Sequence, residues 1–182
     1  MSVFFVTDSY IKLNSPVSQN VDANDLRPHI KVASDMYVQP VLGTNFYDYL
    51  VSGYTAQSLS PNETTLVEYI QPVVMYYTCV LAMPFLNYQV KNKGSQFQSS
   101  DFSTHSETGD KKATSFIMNE LENKAQFYLK RLENYLDDNE SLYPQYTTNN
   151  NDDITPSDVT PYRCGITYYN NGGSCNNINF LY

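Results

Sequence analysis

The stretch over residues 69–90 constrains the fold most, because 22 consecutive residues there carry no charge. Just before it, residues 60–63 have the sequence SPNE, a capping-box pattern with proline at the first helical position. A helix of this length could span a membrane, but its prolines, glutamines and four tyrosines argue against a lipid environment. We therefore predict a central helix buried on most sides, which Pro72 and Pro84 kink or break into two shorter helices.

The clearest amphipathic pattern lies over residues 110–138. Apolar side chains recur there every three or four residues, while Glu, Lys, Arg and Asn fill the remaining positions. The apolar stripe consists of Ala113, Ile117, Leu121, Ala125, Tyr128, Leu132 and Leu136. This spacing predicts one long helix that packs a single face against the core.

Two shorter helices are predicted nearer the N-terminus. Asp22 can cap a helix over residues 23–39, whose apolar positions also repeat every three or four residues. Gly43 predicts the end of that helix, and Thr44 the N-cap of a second short helix. We expect Gly53 to end this second helix.

The rest of the chain is polar and lacks a helical period. Residues 91–109 are predicted to form a long linker, and residues 139–182 contain nine asparagines. Within the latter, residues 166–169 could form a strand, residues 170–173 a turn and residues 178–182 a returning strand. Such a hairpin would be marginal alone, so its aromatic side chains need a surface to bury against.

The predicted fold is therefore all-α, a small bundle of about four helices. The third helix is long and kinked, and the fourth is long. We expect a helical domain over residues 1–146, with a linker loop over residues 94–109. The C-terminal arm, residues 147–182, is expected to be extended and could contain the short β-hairpin.

No motif indicates catalysis. The two histidines, His29 and His105, lie 76 residues apart, whereas metal sites need ligands at short spacings. Phosphate-binding loops, dinucleotide fingerprints and nucleophile elbows are absent from the sequence. Cys164 and Cys175 are either two separate small side chains of the tail or a pair that forms a disulfide under oxidising conditions. We expect no enzymatic activity, no cofactor and no metal.

The charge balance also limits the partners. Eleven Lys and Arg oppose 19 Asp and Glu, which gives a net charge of −8. This argues against nucleic-acid binding through phosphate neutralisation and against docking on anionic membranes. The adjacent carboxylates Asp137-Asp138 and Asp152-Asp153 are predicted to be solvated. The N-terminus lacks the basic region of a signal peptide, so a reducing cytoplasm is the expected compartment.

Three stretches of the chain form a distinctive combination when they are taken in order. They are residues 20–47 with Pro40-Val41-Leu42-Gly43-Thr44, residues 82–94 with Ala82-Met83-Pro84-Phe85, and residues 125–146 with Tyr143-Pro144-Gln145-Tyr146. In this combination, residues 7–146 resemble a family of small virion proteins of tailed phages that infect Bacteroidetes, including the crAss-like phages. That family is similar to the head–tail connector, or adaptor, proteins that form a ring under the portal.

The resemblance implies a helical subunit in a ring of about twelve copies that contact one another head to tail. The partners would be other copies of the chain, the portal protein and the next neck or tail ring protein. Packaged DNA would pass through the lumen without sequence-specific binding, and no membrane would be involved. The location would be the neck of the virion, with the host cytoplasm during assembly.

Two groups of residues are candidates for contacts. Apolar residues of the C-terminal arm could add a strand to a partner's sheet; they are Tyr162, Ile166, Tyr168, Tyr169, Ile178, Phe180, Leu181 and Tyr182. Residues of the linker loop could line the channel or reach a neighbouring subunit; they are Lys93, Gly94, Gln96, Phe97, Asp101 and Phe102. The alternatives are a disordered tail and a disordered surface loop. The alternative function is a host-directed or other virion binding protein that uses the Tyr- and Asn-rich arm. An enzyme of unknown type is a third interpretation, for which the sequence nominates no residues.

Overall fold

A computed structural model describes residues 5–91, 94–97, 107–147, 153–154 and 156 of the chain. The fold is mostly helical, which confirms the all-α prediction. The helices are α1 (Asp8–Asn14), α2 (Ala23–Ala33), α3 (Gln39–Leu42), α4 (Thr44–Ala56), α5 (Pro61–Asn87), α6 (Glu107–Asp138) and α7 (Pro144–Thr147). A π-helical segment (Ser34–Val38) joins α2 to α3, and a 3₁₀ turn (Glu140–Leu142) follows α6.

Helix α5 forms the centre of the core, and both α2 and α6 pack along it. Three pairs of stacked tyrosine rings hold these helices together, with centroids 3.5 to 5.3 Å apart. The pairs are Tyr37–Tyr77, Tyr69–Tyr135 and Tyr76–Tyr128. The pairs between α5 and α6 rise in number on one helix and fall on the other, so these helices are antiparallel. On the other side, His29 of α2 contacts Phe85 and Tyr37 of the π-helical segment stacks on Tyr77, so α2 also runs antiparallel to α5. Tyrosine suits these positions because its ring buries a large apolar area while its hydroxyl keeps a polar partner.

The predicted start of α5 is confirmed in detail. The Ser60 backbone N–H donates to Glu63 Oε2 over 2.7 Å, and the Glu63 N–H donates back to Ser60 Oγ over 3.4 Å. These two bonds are the reciprocal pair of a capping box, and Pro61 occupies the first helical position. The predicted cap of α2 is confirmed as well, since Asp22 Oδ1 accepts from the Asn24 N–H over 2.9 Å.

Helix α5 runs without interruption through Pro72 and Pro84, so the third helix is a single long helix and the alternative of a break into two shorter helices is wrong. A proline inside a helix costs about 3 kcal/mol because it removes a backbone donor. Packing on two sides holds the backbone helical here, since side chains along the whole length of α5 belong to the core. Residues Pro61–Leu86 are long and apolar enough to cross a membrane. Of the apolar stretch that meets this criterion, 44% is buried inside the described fold.

The predicted ends of the shorter helices need two corrections. Helical backbone continues past residue 39 to Leu42, and Gly43 supplies both the end of α3 and the N-cap of α4, with a φ of 75°. Thr44 is therefore the first residue of α4 and not its cap. Helix α4 also passes through Gly53 and ends at Ala56, where Gln57 adopts the left-handed conformation with a φ of 53°.

Gly53 has a different role from the one predicted. A Cβ atom at this position would lie 2.6 Å from Leu59 Cδ2, so the glycine allows Leu59 to pack against α4. The Ser58 N–H donates to the Gly53 carbonyl over 3.0 Å, which is the long bond of a Schellman motif. Because Gly53 has no side chain, the segment that follows α4 can pack closely against this helix.

The predicted linker over residues 91–109 contains regular structure. Strands β1 (Tyr88–Lys91) and β2 (Gly94–Phe97) form an antiparallel hairpin in which Tyr88 pairs with Phe97. Helix α6 begins at Glu107, three residues before the predicted start. The four predicted helices correspond to α2–α3, α4, α5 and α6, and the described residues also contain α1, α7 and the 3₁₀ turn. The predicted C-terminal hairpin lies outside the described residues.

Candidate functional site

The C-terminal arm contacts the helical domain at the start of α4. The Thr44 hydroxyl donates to Asp153 Oδ2 over 2.9 Å, and Gln39 Nε2 donates to the same oxygen over 3.3 Å. Gln39 Nε2 also donates to Thr44 Oγ1 over 3.0 Å. The Thr44 backbone N–H donates to the Ile154 carbonyl over 3.0 Å. We call these four residues, Gln39, Thr44, Asp153 and Ile154, the arm clamp.

The arm clamp replaces a cap that the sequence of α4 lacks. Its N-cap residue is Gly43, which has no side chain to accept from the first backbone donors. The arm supplies the missing acceptor through the Ile154 carbonyl. The Asp153 carboxylate also lies at the positive end of the α4 dipole, where a negative charge is favourable. Two residues further on, Pro156 is buried. Residues 153 and 154 are therefore held to the body by hydrogen bonds, and residue 156 is buried.

A second set of contacts holds the segment that follows α6. The buried Tyr143 hydroxyl donates to the Asn62 carbonyl over 2.9 Å and lies 3.0 Å from the Tyr135 hydroxyl. The Tyr143 and Tyr146 rings both pack against Phe46 of α4. Burial, together with the neighbouring Tyr135 hydroxyl, raises the pKa of Tyr143 above its usual range. We call Tyr143 with its partners Asn62 and Tyr135 the tyrosine latch.

Large apolar side chains also lie exposed where α2 meets the end of α5. Val32 is 40%, Met36 55% and Phe85 62% exposed. The His29 ring lies 5.1 Å from the Phe85 ring, and Val32 and Met36 follow His29 at one-turn spacings. Partial burial lowers the pKa of His29, although Asp25 opposes this shift. We call Val32, Met36 and Phe85 the α2–α5 surface.

Elsewhere in the described part of the chain, exposed apolar side chains are more dispersed. Phe116, Ile117 and Phe127 lie on α6, and the others stand on separate elements: Leu13, Tyr49 and Leu142. Single exposed apolar residues are normal on protein surfaces. The α2–α5 surface differs because it combines side chains of two helices.

One open cleft of about 390 Å³ lies between α4 and α5. Its lining residues are Tyr54, Gln57, Leu59, Thr64 and Val67. These side chains include no carboxylate, imidazole, thiol or amine, so the cleft offers no general acid or base that titrates near neutral pH. Within the described residues, no group of three His, Cys, Asp or Glu side chains converges on a metal position.

The structure describes only some of the predicted contact residues. Gly94, Gln96 and Phe97 lie in strand β2. The other linker candidates, Lys93, Asp101 and Phe102, lie outside the described residues. All eight arm candidates from Tyr162 to Tyr182, and both Cys164 and Cys175, also lie outside them.

Sequence reasoning missed the arm clamp. We expected Asp153 to be solvated together with Asp152, and Asp153 is indeed exposed, yet its carboxylate accepts bonds from Thr44 and Gln39. The available signal was the glycine before Thr44, because a helix that begins after a glycine needs its acceptors from elsewhere. Nothing in the sequence indicated that the acceptor would come from a residue more than 100 positions away.

Comparison with known proteins assigns the chain to a family. No curated protein and no solved structure matches it. Residues 38–156, more than half of the chain, match the DUF6712 family, which is described as a family of unknown function. The matched region begins next to Gln39 and ends at Pro156, so it contains both halves of the arm clamp and the whole tyrosine latch. The chain therefore belongs to the DUF6712 family.

Proposed function

We propose that the protein is a structural virion protein, a head–tail connector that forms a ring between portal and tail through which phage DNA passes. The observation that carries this proposal is the arm clamp. It fixes Asp153 and Ile154 to the start of α4, so the chain just before residues 157–182 is held at a defined place. These 26 residues contain one acidic and one basic side chain, Asp158 and Arg163, together with eight apolar or aromatic contact candidates.

A ring subunit needs two different contact surfaces, because head-to-tail association pairs one patch with another around the closed circle. An arm attached at a fixed point can supply one of them, and the helical domain can supply the other. A segment of this composition orders when it finds a surface to bury its aromatic side chains. This requirement supports a role in assembly more than a role as an isolated soluble domain.

The resemblance to connector proteins supports the same function. Its motif Pro40-Val41-Leu42-Gly43-Thr44 contains the start of α4 and one half of the arm clamp. Its motif Tyr143-Pro144-Gln145-Tyr146 contains the tyrosine latch. Two of the three stretches that carry the resemblance therefore contain residues of the arm clamp or the tyrosine latch.

The charge of the chain is compatible with a DNA conduit. A net charge of −8 makes the protein repel the phosphate backbone, so DNA could slide through a ring without adhering to it. Exposed carboxylates on α6, among them Glu120 and Glu122, contribute to this field. The proposal includes no catalytic activity and no cofactor.

Mixing the purified protein with the portal protein of the same phage tests the proposal. Electron microscopy of the mixture should show a ring bound coaxially to the portal. Asp153→Ala together with Thr44→Val should reduce ring formation, whereas the distant exposed variant Leu13→Ala should not. A protein that stays monomeric and binds neither portal nor assembled heads would contradict the proposal. Monomeric binding to a host protein without portal would support the host-directed alternative instead.

A further inference from the structure

We propose that residues 157–182, here called the distal arm, fold back over the α2–α5 surface of their own chain in the free subunit. The proposal does not rest on the ring function, since it concerns a single chain before any assembly. Three observations carry it: the exposure of this surface, the position at which the distal arm begins, and the composition of the distal arm.

The α2–α5 surface combines exposed apolar side chains with a charged border, as a surface that another segment covers would. Met36 and Phe85 each leave more than half of their side chain exposed, and Val32 leaves 40%. Charged groups border it, because Lys31 forms an ion pair with Asp35 one turn away on the same helical stretch. An apolar group rimmed by charges is typical of a binding surface.

The distal arm begins close to this surface. The arm clamp places Asp153 and Ile154 at Thr44, two residues after Leu42, where the helical backbone that contains Met36 ends. At 1.5 Å per residue, Leu42 is about 9 Å from Met36 along that backbone, and Gly43 then breaks the helical axis. Phe85 lies opposite His29, so it is about 20 Å from Leu42 along the same axis. A fully extended segment of this length reaches about 86 Å, so the distal arm can cover the whole surface.

The composition of the distal arm fits this occupant. Its aromatic and aliphatic side chains can bury against Val32, Met36 and Phe85, while tyrosine hydroxyls and asparagines remain at the hydrated rim. Its near-neutral charge avoids repulsion by the acidic domain. One consequence is that the distal arm must leave this surface before it can contact another molecule.

Hydroxyl-radical footprinting of the full chain provides the first test. Phe85 and Phe127 are the same residue type with almost equal exposure in the described structure, 62% and 64%, but only Phe85 belongs to the α2–α5 surface. We expect Phe85 to be labelled at least threefold more slowly than Phe127, and Met36 to be protected as well. Equal labelling of the two phenylalanines would overturn the proposal.

Disulfide trapping identifies what covers the surface. Met36→Cys in a Cys175→Ser background leaves Cys164 as the one cysteine of the distal arm. In a glutathione redox buffer, we expect the cysteine introduced at position 36 to form a disulfide with Cys164 of the same chain, identified by mass spectrometry of the linked peptides. The control Phe127→Cys in the same background should give little disulfide under the same conditions.

Mixing isotopically heavy and light chains completes the test. Linked peptides should be only heavy–heavy or light–light, because the proposal places the contact within one chain. Heavy–light pairs would show that a second copy supplies the arm and would overturn the proposal. Heavy–light pairs would not contradict the proposed ring function. Conversely, failure to bind portal would not contradict a contact within one chain.

Discussion

Thr44 and Asp153 lie 109 positions apart in the chain, and the Thr44 hydroxyl donates to the Asp153 carboxylate over 2.9 Å. The contact joins the first residue of α4 to a segment that follows all the described helices. The same carboxylate accepts a hydrogen bond from Gln39, so Asp153 connects both α3 and α4 to the arm. The stability of α4 therefore depends on where the arm lies.

We expect Asp153→Ala to destabilise the full chain by about 1 kcal/mol, because it removes two hydrogen bonds and a favourable helix-dipole interaction from a partly exposed site. Urea unfolding followed by circular dichroism measures this change. Asp48→Asn, an exposed carboxylate within α4 itself, should change the free energy of unfolding by less than about 0.5 kcal/mol. Equal effects of the two variants would show that the arm clamp contributes nothing specific.

Loss of the Tyr143 hydroxyl should lower the stability of the fold more than loss of an exposed tyrosine hydroxyl. Tyr143→Phe removes a buried hydroxyl and its hydrogen bond to the Asn62 carbonyl, which should cost about 1 kcal/mol. Tyr49→Phe is the matched control, since its hydroxyl bonds Glu63 at an exposed site and its loss should cost under about 0.5 kcal/mol. Thermal unfolding of both variants distinguishes them, and a similar midpoint for the two would contradict the assigned role of Tyr143.

Alkaline pH should lower the free energy of unfolding, because Tyr47 then loses its proton. Burial raises the pKa of Tyr47 to about 12, and Asp35, which accepts a hydrogen bond from its hydroxyl, adds to this shift. The folded state therefore holds this proton more tightly than the unfolded chain, whose tyrosine pKa is 10.0. The stabilising contribution is complete below pH 10 and is lost as the pH rises towards about 12.

Urea unfolding at stepped pH between neutrality and pH 12 measures this dependence. Tyr47→Phe should flatten the decline above pH 10, because phenylalanine has no proton to lose. A decline of unchanged slope in the variant would assign the pH dependence to other groups.

Gly53 and Leu59 should show strong energetic coupling. Replacing a glycine within a helix by alanine usually stabilises a protein by about 1 kcal/mol. Here the new Cβ would lie 2.6 Å from Leu59 Cδ2, so the leucine must move and most of that gain should disappear. In a Leu59→Ala background the full gain of about 1 kcal/mol should return. A double-mutant cycle with a coupling below about 0.3 kcal/mol would contradict this close contact.

Local sequence signals predicted the helices well. The capping box at Ser60 and Glu63 and the cap at Asp22 involve residues within three positions of each other, so the sequence alone contains both partners. The apolar stripe of α6 is likewise a property of one segment, and Leu121, Leu132 and Leu136 are all buried. Ile117 is the exception, because it lies near the start of α6 and is 44% exposed.

Features that depend on distant residues were not predictable in the same way. Proline rules indicated a kink or a break in α5, but packing along two sides of the helix outweighs the lost donors at Pro72 and Pro84, and the helix does not break. Gly53 looked like a helix end, whereas its role depends on Leu59 in the following segment. The arm clamp needed an acceptor from the far end of the described chain, which no periodicity reveals.

The contact between the start of α4 and Ile154 also has a topological consequence. Because the Thr44 N–H bonds the Ile154 carbonyl, the two ends of the region that matches the family, residues 38 and 156, lie near each other in space. A short linker could join them, and new termini could open at an exposed turn such as Ser58 without cutting a core helix. The region that matches the family thus begins and ends beside the arm clamp.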